Sequence, residues 1–304
     1  MSDPLVLIGG FLAASVRVAT PLLLAATGET LAERSGVINL GLEGMMLAGA
    51  LAATLGASAA GPWTGLALAM LAGMVLAAIF AAVAIVARAD QIIAGTAITL
   101  AAVGLTGTIY REAYGAGGAG LTLPTLAPIA IPGLSRIPLL GPALFTQPVP
   151  TYLALLAIPA AWWFLFRTRA GLMLRATGEG AAEARAAGVR TKAVRAAATL
   201  VGGAFAGLGG ATLVLAQVGT FAEGMTAGRG YVAIAIVVLG RWHPVGVAIA
   251  ALLFGAATAL QFVFQSIGLA VPYQLFLMLP YLLTLRALGG AVGRVRAPAD
   301  LGKG

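Results

Sequence analysis

The sequence predicts an all-α protein: a polytopic integral membrane helical bundle of about 8–10 transmembrane helices, some of them interrupted, forming one domain over residues 1–304. Three observations carry this. The chain is 60% hydrophobic and only 9% charged, against about 25% charged in an ordinary soluble domain. Apolar runs of about 20 residues, enough to cross ~30 Å of hydrocarbon as helix, recur along its whole length. Ala and Leu dominate them and β-branched alternation is scarce, so the spans are helices and not barrel strands.

In chain order the candidate spans are 5–27, 39–58, 63–87, 91–110, 151–167, 196–217, 231–241, 244–265 and 272–288. The N-terminus, "MSDPLVLIGG", has no basic region and no small-residue cleavage site, so it reads as the start of a retained helix. Between the first two spans "RSGVINLGLEG" (34–44) sets polar and glycine residues where membrane helix would otherwise continue. Arg17, Glu29, Glu33, Arg34, Asn39 and Glu43 all fall within 27 residues here. Charges at membrane depth are costly, so such residues face a bundle interior or a watery path and pair with one another. The segment then reads as an interrupted helix lining a translocation path, with Gly36, Gly41 and Gly44 permitting unwound backbone. The competing reading is a short cytoplasmic loop whose Asn39 caps the next helix. On the path reading Asn39 and Glu43 face the solute, and Arg17 or Arg34 is the charge partner of Glu43. An amide at Glu43 should then be milder than a leucine.

Gln91, Thr96 and Thr99 open the 91–110 span, with Gln91 and Thr99 on one helix side. They can hydrogen-bond a polar solute or a neighbouring helix. Residues 111–150 hold seven of the fifteen prolines, a density that precludes regular helix, and read as an extracytoplasmic loop. Gly115, Gly117 and Gly120 satisfy G-x-G-x-x-G but lack the strand–helix context of a dinucleotide site. Trp162 and Trp163 suit the headgroup level at the end of their span. Seven of the eighteen basic residues lie in 167–195, and Arg286, Arg294, Arg296 and Lys303 lie at the C-terminus. This places both segments in the cytoplasm under the positive-inside rule and accounts for the net charge of +8 without nucleic acid. In "GGAFAGLGGA" (202–211) the spacing of Gly203, Gly207, Ala206 and Gly210 predicts close helix packing. The span 231–241 is too short for a full crossing and reads as half of a broken helix.

Several functions are excluded. There is no Cys and a single His, His243, which removes structural zinc sites, thiol catalysis and Ser/His/Asp or two-His arrangements. His243 reads as a helix-end anchor. The only lysines, Lys192 and Lys303, have no G-x-x-x-x-G-K-[ST] context. The chain therefore carries no ATP cofactor site, and any ATP that drives it is bound by another polypeptide.

"ETLAERSGVINLGLEGMMLAGALAA" (29–53), "GLMLRATGEGAAEARAAGVRTKAVRAAATLVGGAFAGLGGATL" (171–213) and "TAGRGYVAIAIVVLGRWHPVGVAIAALLFG" (226–255) together resemble the permease subunits of bacterial ABC importers. The likeness is to the branched-chain amino acid and simple-sugar superfamily, in the branch that includes nucleoside permeases. It implies a permease of the bacterial cell membrane that pairs with a second homologous permease or with itself. Its other partners would be two cytosolic ABC ATPase domains and an extracytoplasmic solute-binding protein or lipoprotein. The implied cargo is a nucleoside or related small polar solute, with a simple sugar such as a pentose as the alternative. A self-sufficient secondary transporter is the alternative from another class. The resemblance also gives 167–195 a coupling role. A helix from Glu179 to Ala187, ended by Gly188, would dock in the ATPase through Glu179, Glu183, Arg185 and Gly188.

Overall fold

The computed structural model describes residues 4–115, 122–266, 278, 282 and 297–303. The helices are α1 (Pro4–Arg34), α2 (Leu42–Ala60), α3 (Pro62–Phe80, continued by a wide turn through Val86), α4 (Gln91–Tyr114), α5 (Leu140–Leu144), α6 (Val149–Arg167), α7 (Arg169–Glu179), α8 (Ala181–Ala186), α9 (Thr191–Thr212, continued to Val218), α10 (Arg229–Leu239) and α11 (Pro244–Ser266). Among the described residues, seven helices are long and apolar enough to cross a membrane, and α10 is a shorter apolar helix. This bears out the all-α membrane bundle. The expected span 272–288 lies outside the described residues except for positions 278 and 282.

α9 packs at the centre against α1, α2 and α3, and its small residues are the reason. Lipid tails are as apolar as leucine, so membrane helices associate by close van der Waals approach instead of by hydrophobic exclusion. A methyl group at Gly49 of α2 would lie 2.5 Å from the Gly207 backbone, and one at Gly210 would run into the Met46 carbonyl. Gly73 of α3 meets the backbone of Gly203 in the same way. The packing expected from the 202–211 spacing is therefore present, with partners on two neighbouring helices. Outward faces carry large apolar side chains, among them Leu71, Val75, Leu100 and Leu105, as a lipid-facing surface requires.

α1 sets the axis of the molecule. Near its start, Gly9 lies beside Leu139 of the 122–148 loop; at its end, Arg34 and Gly36 lie against Gly178 of α7. At 1.5 Å per residue these points are about 40 Å apart. The proline-rich loop and the basic segment thus occupy opposite ends of the bundle. The expected loop over 111–150 is narrowed, since 111–114 complete α4 and 149–150 open α6; between them, among the described residues, lie irregular chain, the short helix α5 and a strand pair. Here β1 (Ile129–Ala130) runs antiparallel to β2 (Thr146–Gln147). α10 matches the short span expected at 231–241. It ends at Gly240, after which Arg241 and Trp242 take positive φ values of 55° and 52° to reverse the chain into α11. The expected helix Glu179–Ala187 is corrected: Glu179 closes α7, Gly180 is extended, and α8 spans only Ala181–Ala186. Gly188 does end it, at φ 85°.

Candidate functional site at the break between the first two membrane helices

α1 stops in a glycine-terminated turn. The N–H of Gly36 donates to the Glu33 carbonyl and that of Val37 to the Ala32 carbonyl, with Gly36 at φ 95°. This pattern needs a residue that tolerates the left-handed region, hence glycine. Residues 35–41 then run without helix along α4. Ile38 donates its N–H to Gln91 Oε1 at 2.8 Å. Further along, the Leu40 carbonyl accepts from Thr99 Oγ1 at 3.2 Å. Gln91 and Thr99 are eight residues apart on α4, about 12 Å of rise. The break therefore begins at the end of the bundle, and α2 starts inside it.

Irregular backbone inside a membrane bundle persists only if each polar group is satisfied or lines a watery cavity. Asn39 is fully buried. Its N–H donates to Glu29 Oε1 at 2.9 Å, its Oδ1 accepts from Gly41 N–H at 3.0 Å, and its Nδ2 meets the Met45 sulfur at 3.3 Å. Asn39 Oδ1 thus closes a local turn onto Gly41 deep in the protein, whereas the helix cap that the loop reading expected of it is absent: α2 starts after Gly41 with no capping side chain. The glycines Gly41 and Gly44 let α2 approach Gly95 and Thr99 of α4 closely.

Glu43 joins the break to α10. Its Oε1 accepts from Thr226 Oγ1 at 2.6 Å and Gly228 N–H at 2.8 Å, and its Oε2 accepts from Gly230 N–H at 2.7 Å. The expected pairing of Glu43 with Arg17 or Arg34 is corrected by this geometry. Arg17 is exposed and its backbone carbonyl accepts from Gln217. Arg34 donates from Nε to the Trp242 carbonyl at 2.7 Å. The carboxyl of Glu43 is filled by neutral donors from the start of α10 and the turn just before it. Thr96 also falls outside the constellation, since its hydroxyl bonds the carbonyls of Ile92 and Ile93 on its own helix.

Two acids set out in the sequence as part of the polar cluster prove central. Glu29 and Glu33 lie one turn apart on α1 with side chains 0% and 1% exposed. Trp242 Nε1 donates to Glu33 Oε2, so one indole ties the end of α1 to the α10–α11 turn. Among the described residues, Glu29 Oε2 and Glu33 Oε1 have no partner. His243 packs its ring against Phe166 at a centroid distance of 5.3 Å, in keeping with the anchor role. Burial first, and the Arg34 charge second, hold its protonation below the ordinary histidine range.

The coupling candidates lie at the same end of the bundle. Glu183, Arg185 and Gly188 are exposed on and just after α8, and Glu179 is exposed at the end of α7. Sequence reasoning missed Thr226, Gly228, Gly230, Arg195 and Asp300 as organising residues. The first three were visible only as part of "TAGRGY", and their donors are mostly backbone N–H groups.

A bundle of apolar helices built around a buried, hydrogen-bonded break has an arrangement that membrane transport proteins use. Residues 11–288 match the family described as "Branched-chain amino acid transport system / permease component", and the chain belongs to that family. It is 38% identical over 297 residues to the guanosine ABC transporter permease protein NupQ of Bacillus subtilis, covering 94% of this chain and 92% of that protein. It is 40% identical over 267 residues to the putative glucose ABC transporter permease protein TsgC13 of Haloferax volcanii, covering 86% and 80%. It is 34% identical over 289 residues to the nucleoside ABC transporter permease protein NupC of Lactococcus lactis, covering 92% and 91%. No solved structure matches. The chain is a multi-pass membrane permease of the ABC importer type, whose family works with ATPase and substrate-binding components.

Proposed function

We propose that this chain is the transmembrane permease subunit of an importer that carries nucleosides, or closely related small polar solutes, across the bacterial cytoplasmic membrane. The observation that carries this reading is the buried break at 35–41, held by Glu29, Gln91 and Thr99 and followed by Glu43 bonded to the start of α10, in a chain that resembles nucleoside permeases over nearly its full length. Asn39 and Gln91 carry both donors and acceptors, which suits a neutral hydroxylated or heterocyclic solute better than an ion. In the outward- and inward-open states the solute would exchange with the contacts that these side chains make to one another here. A ligand can shift such an equilibrium only by contacting the states differently.

On this reading ATP is bound by two partner ATPases, and this chain supplies pathway and shape with no bond chemistry. α8 and Gly188 dock in the ATPase, with Glu179, Glu183 and Arg185 around them. The basic end, including the C-terminus, is cytoplasmic, and a solute-binding protein or lipoprotein docks at the 122–148 end. A second reading, simple-sugar import, draws on the likeness to a putative glucose permease. A secondary transporter would run on an ion gradient without ATPases. Thermal stabilisation of the cognate binding protein across a panel of nucleosides and sugars separates the first two readings. A shift with guanosine or another nucleoside and none with glucose or pentoses is expected. Stabilisation by sugars alone would replace the nucleoside reading.

A further inference from the structure

The described C-terminal residues do not trail away from the bundle. Residues 297–303 return to the junction where the break, α7 and α8 meet. The Asp300 N–H donates to the Gly178 carbonyl at 2.9 Å, and Asp300 Oδ2 accepts from the Ala181 N–H at 2.7 Å. Ala181 is the first residue of α8, which has no capping side chain of its own because Gly180 precedes it. One residue of the tail therefore holds both the end of α7 and the start of α8. Two residues on, the Gly302 N–H donates to the Gly36 carbonyl at 3.0 Å, in the turn that ends α1. Arg195 of α9 closes the junction: Nε donates to the Ser35 carbonyl at 3.2 Å and Nη1 to the Lys303 carbonyl at 2.9 Å. Leu301, between these contacts, packs on the main core cluster.

The junction is tight on its other side as well. A methyl group at Gly178 would strike the Arg34 carbonyl, and one at Gly36 would lie 2.9 Å from Arg195 Nη2. The same Arg195 thus touches the break and the tail together. The Asp300 carboxyl is held below the usual carboxylate range, first by the Ala181 N–H, which outweighs the opposing effect of burial, and then by Lys303 and Arg195.

We propose that residues 298–303 form a strap that makes α8 and the 35–41 break move as one body, with Asp300 and Arg195 as its positioning residues. Displacement of α8 by the ATPase would be passed through Asp300 to Gly302, and from there to the turn at Gly36, where α1 ends and the break begins. Without the strap, α8 is held, among the described residues, only by its chain connections through Gly180 and Gly188 and by the packing of Ala181 and Ala184 against the neighbouring helices α7 and α9, with no hydrogen-bonded link to the turn at Gly36. The proposal rests on the reading of α8 as the ATPase-docking helix.

The test uses the complete transporter, permease with its ATPases and binding protein, reconstituted in proteoliposomes. Asp300→Ala removes the acceptor for the Ala181 N–H and leaves the backbone contacts in place. Losing a helix-capping bond corresponds to about a fivefold change in the population of the aligned junction. Expected is a drop of about fivefold in solute moved per ATP hydrolysed, with KM for solute and complex yield unchanged. Asp300→Asn, whose side-chain oxygen can still accept from Ala181, should recover to within about twofold of the parent. Arg195→Lys, which cannot bridge Ser35 and Lys303 together, should also lower the ratio. An unchanged transport-to-ATP ratio in Asp300→Ala overturns the strap. So does a loss matched by an equal loss of complex yield and thermal stability, since that marks mere structural support. The docking reading is tested apart from it, by co-purification of the ATPases with Glu183→Arg and Gly188→Pro. If both variants retain the ATPases and full uptake, α8 is not the docking helix and the strap falls with it.

Discussion

The carboxyl of Glu43 gives the sharpest mutational test of the break, because two of its three contacts come from backbone N–H donors that cannot reverse their role. Gly228 and Gly230 offer backbone N–H groups, and Thr226 Oγ1 donates to the oxygen shared with Gly228. A glutamine can present its one oxygen either to Thr226 and Gly228 or to Gly230. In the better of these poses its NH2 faces the Gly230 N–H, donor against donor, in a site where Glu43 is only 7% exposed. The variant loses one bond of about 1.5–3 kcal/mol and leaves a buried N–H unmet, another 1–3 kcal/mol. Glu43→Gln should therefore cost about 2.5–6 kcal/mol. That is on the order of 5–20 °C in Tm for a chain of this size. Glu43→Leu loses all three bonds and should cost more, often enough to prevent assembly. Thr226→Val removes one donor and leaves the two backbone bonds, so about 1 kcal/mol is expected. The assay is thermal unfolding of the purified permease in detergent, paired with uptake in the assembled transporter. A Glu43→Gln variant that melts within 1 °C of the parent and transports normally would refute the three-donor account.

Three further outcomes follow from the same geometry. Gly49→Ala should destabilise the α2–α9 contact by about 1–3 kcal/mol through overpacking, because the new methyl meets backbone that cannot rotate away; detergent melting reads this, and an unchanged Tm would contradict it. For His243, burial and Arg34 lower the folded-state value below the ordinary 6.5, so the unfolded chain binds more protons in the window below that value. Stability should fall as pH drops through that window and level out above it, and His243→Gln should lose this part of the acid sensitivity. Melting of both proteins across pH 5–8 checks the sign, and a parent that gains stability on acidification relative to the variant would reverse it. Finally, single cysteines placed at positions 135 and 183, in a chain that has none, should label from opposite faces, with 135 reached from outside by an impermeant reagent. Labelling of 135 only after lysis would invert the topology.

The sequence was most informative where side chains announce themselves. Helical spans are legible because about 20 apolar residues have few other uses. The packing of α9 was legible in the pairs Gly203/Gly207 and Ala206/Gly210, since small residues four apart are what close helix approach requires. The polar cluster at 29–43 marked the break for the same reason: a buried charge needs an explanation. What stayed hidden were the partners. Glu43 finds its donors 183 residues or more further on, and two of the three are backbone N–H groups that every residue type carries. No pattern in residue types could have distinguished Gly228 and Gly230 from the arginines that electrostatics favoured. The return of residues 297–303 to α8 and Gly36 was hidden likewise, because two of its contacts involve main-chain atoms on both sides. The division of 179–187 at Gly180 was misread because the alanines around it favour helix, while the Asp300 carboxyl offers α8 a separate start.

The central claim, that the bundle is the passive pathway of an ATP-driven nucleoside importer, is tested most directly by uptake of radiolabelled guanosine into proteoliposomes. The vesicles would hold this permease alone, or this permease with its partner permease and ATPases, with binding protein added outside. The account predicts uptake only from the complete set, only with ATP inside, and reduced by a variant at Asn39 such as Asn39→Leu that leaves Tm within a few degrees. Guanosine uptake by the permease alone, driven by a sodium or proton gradient without ATP, would contradict it.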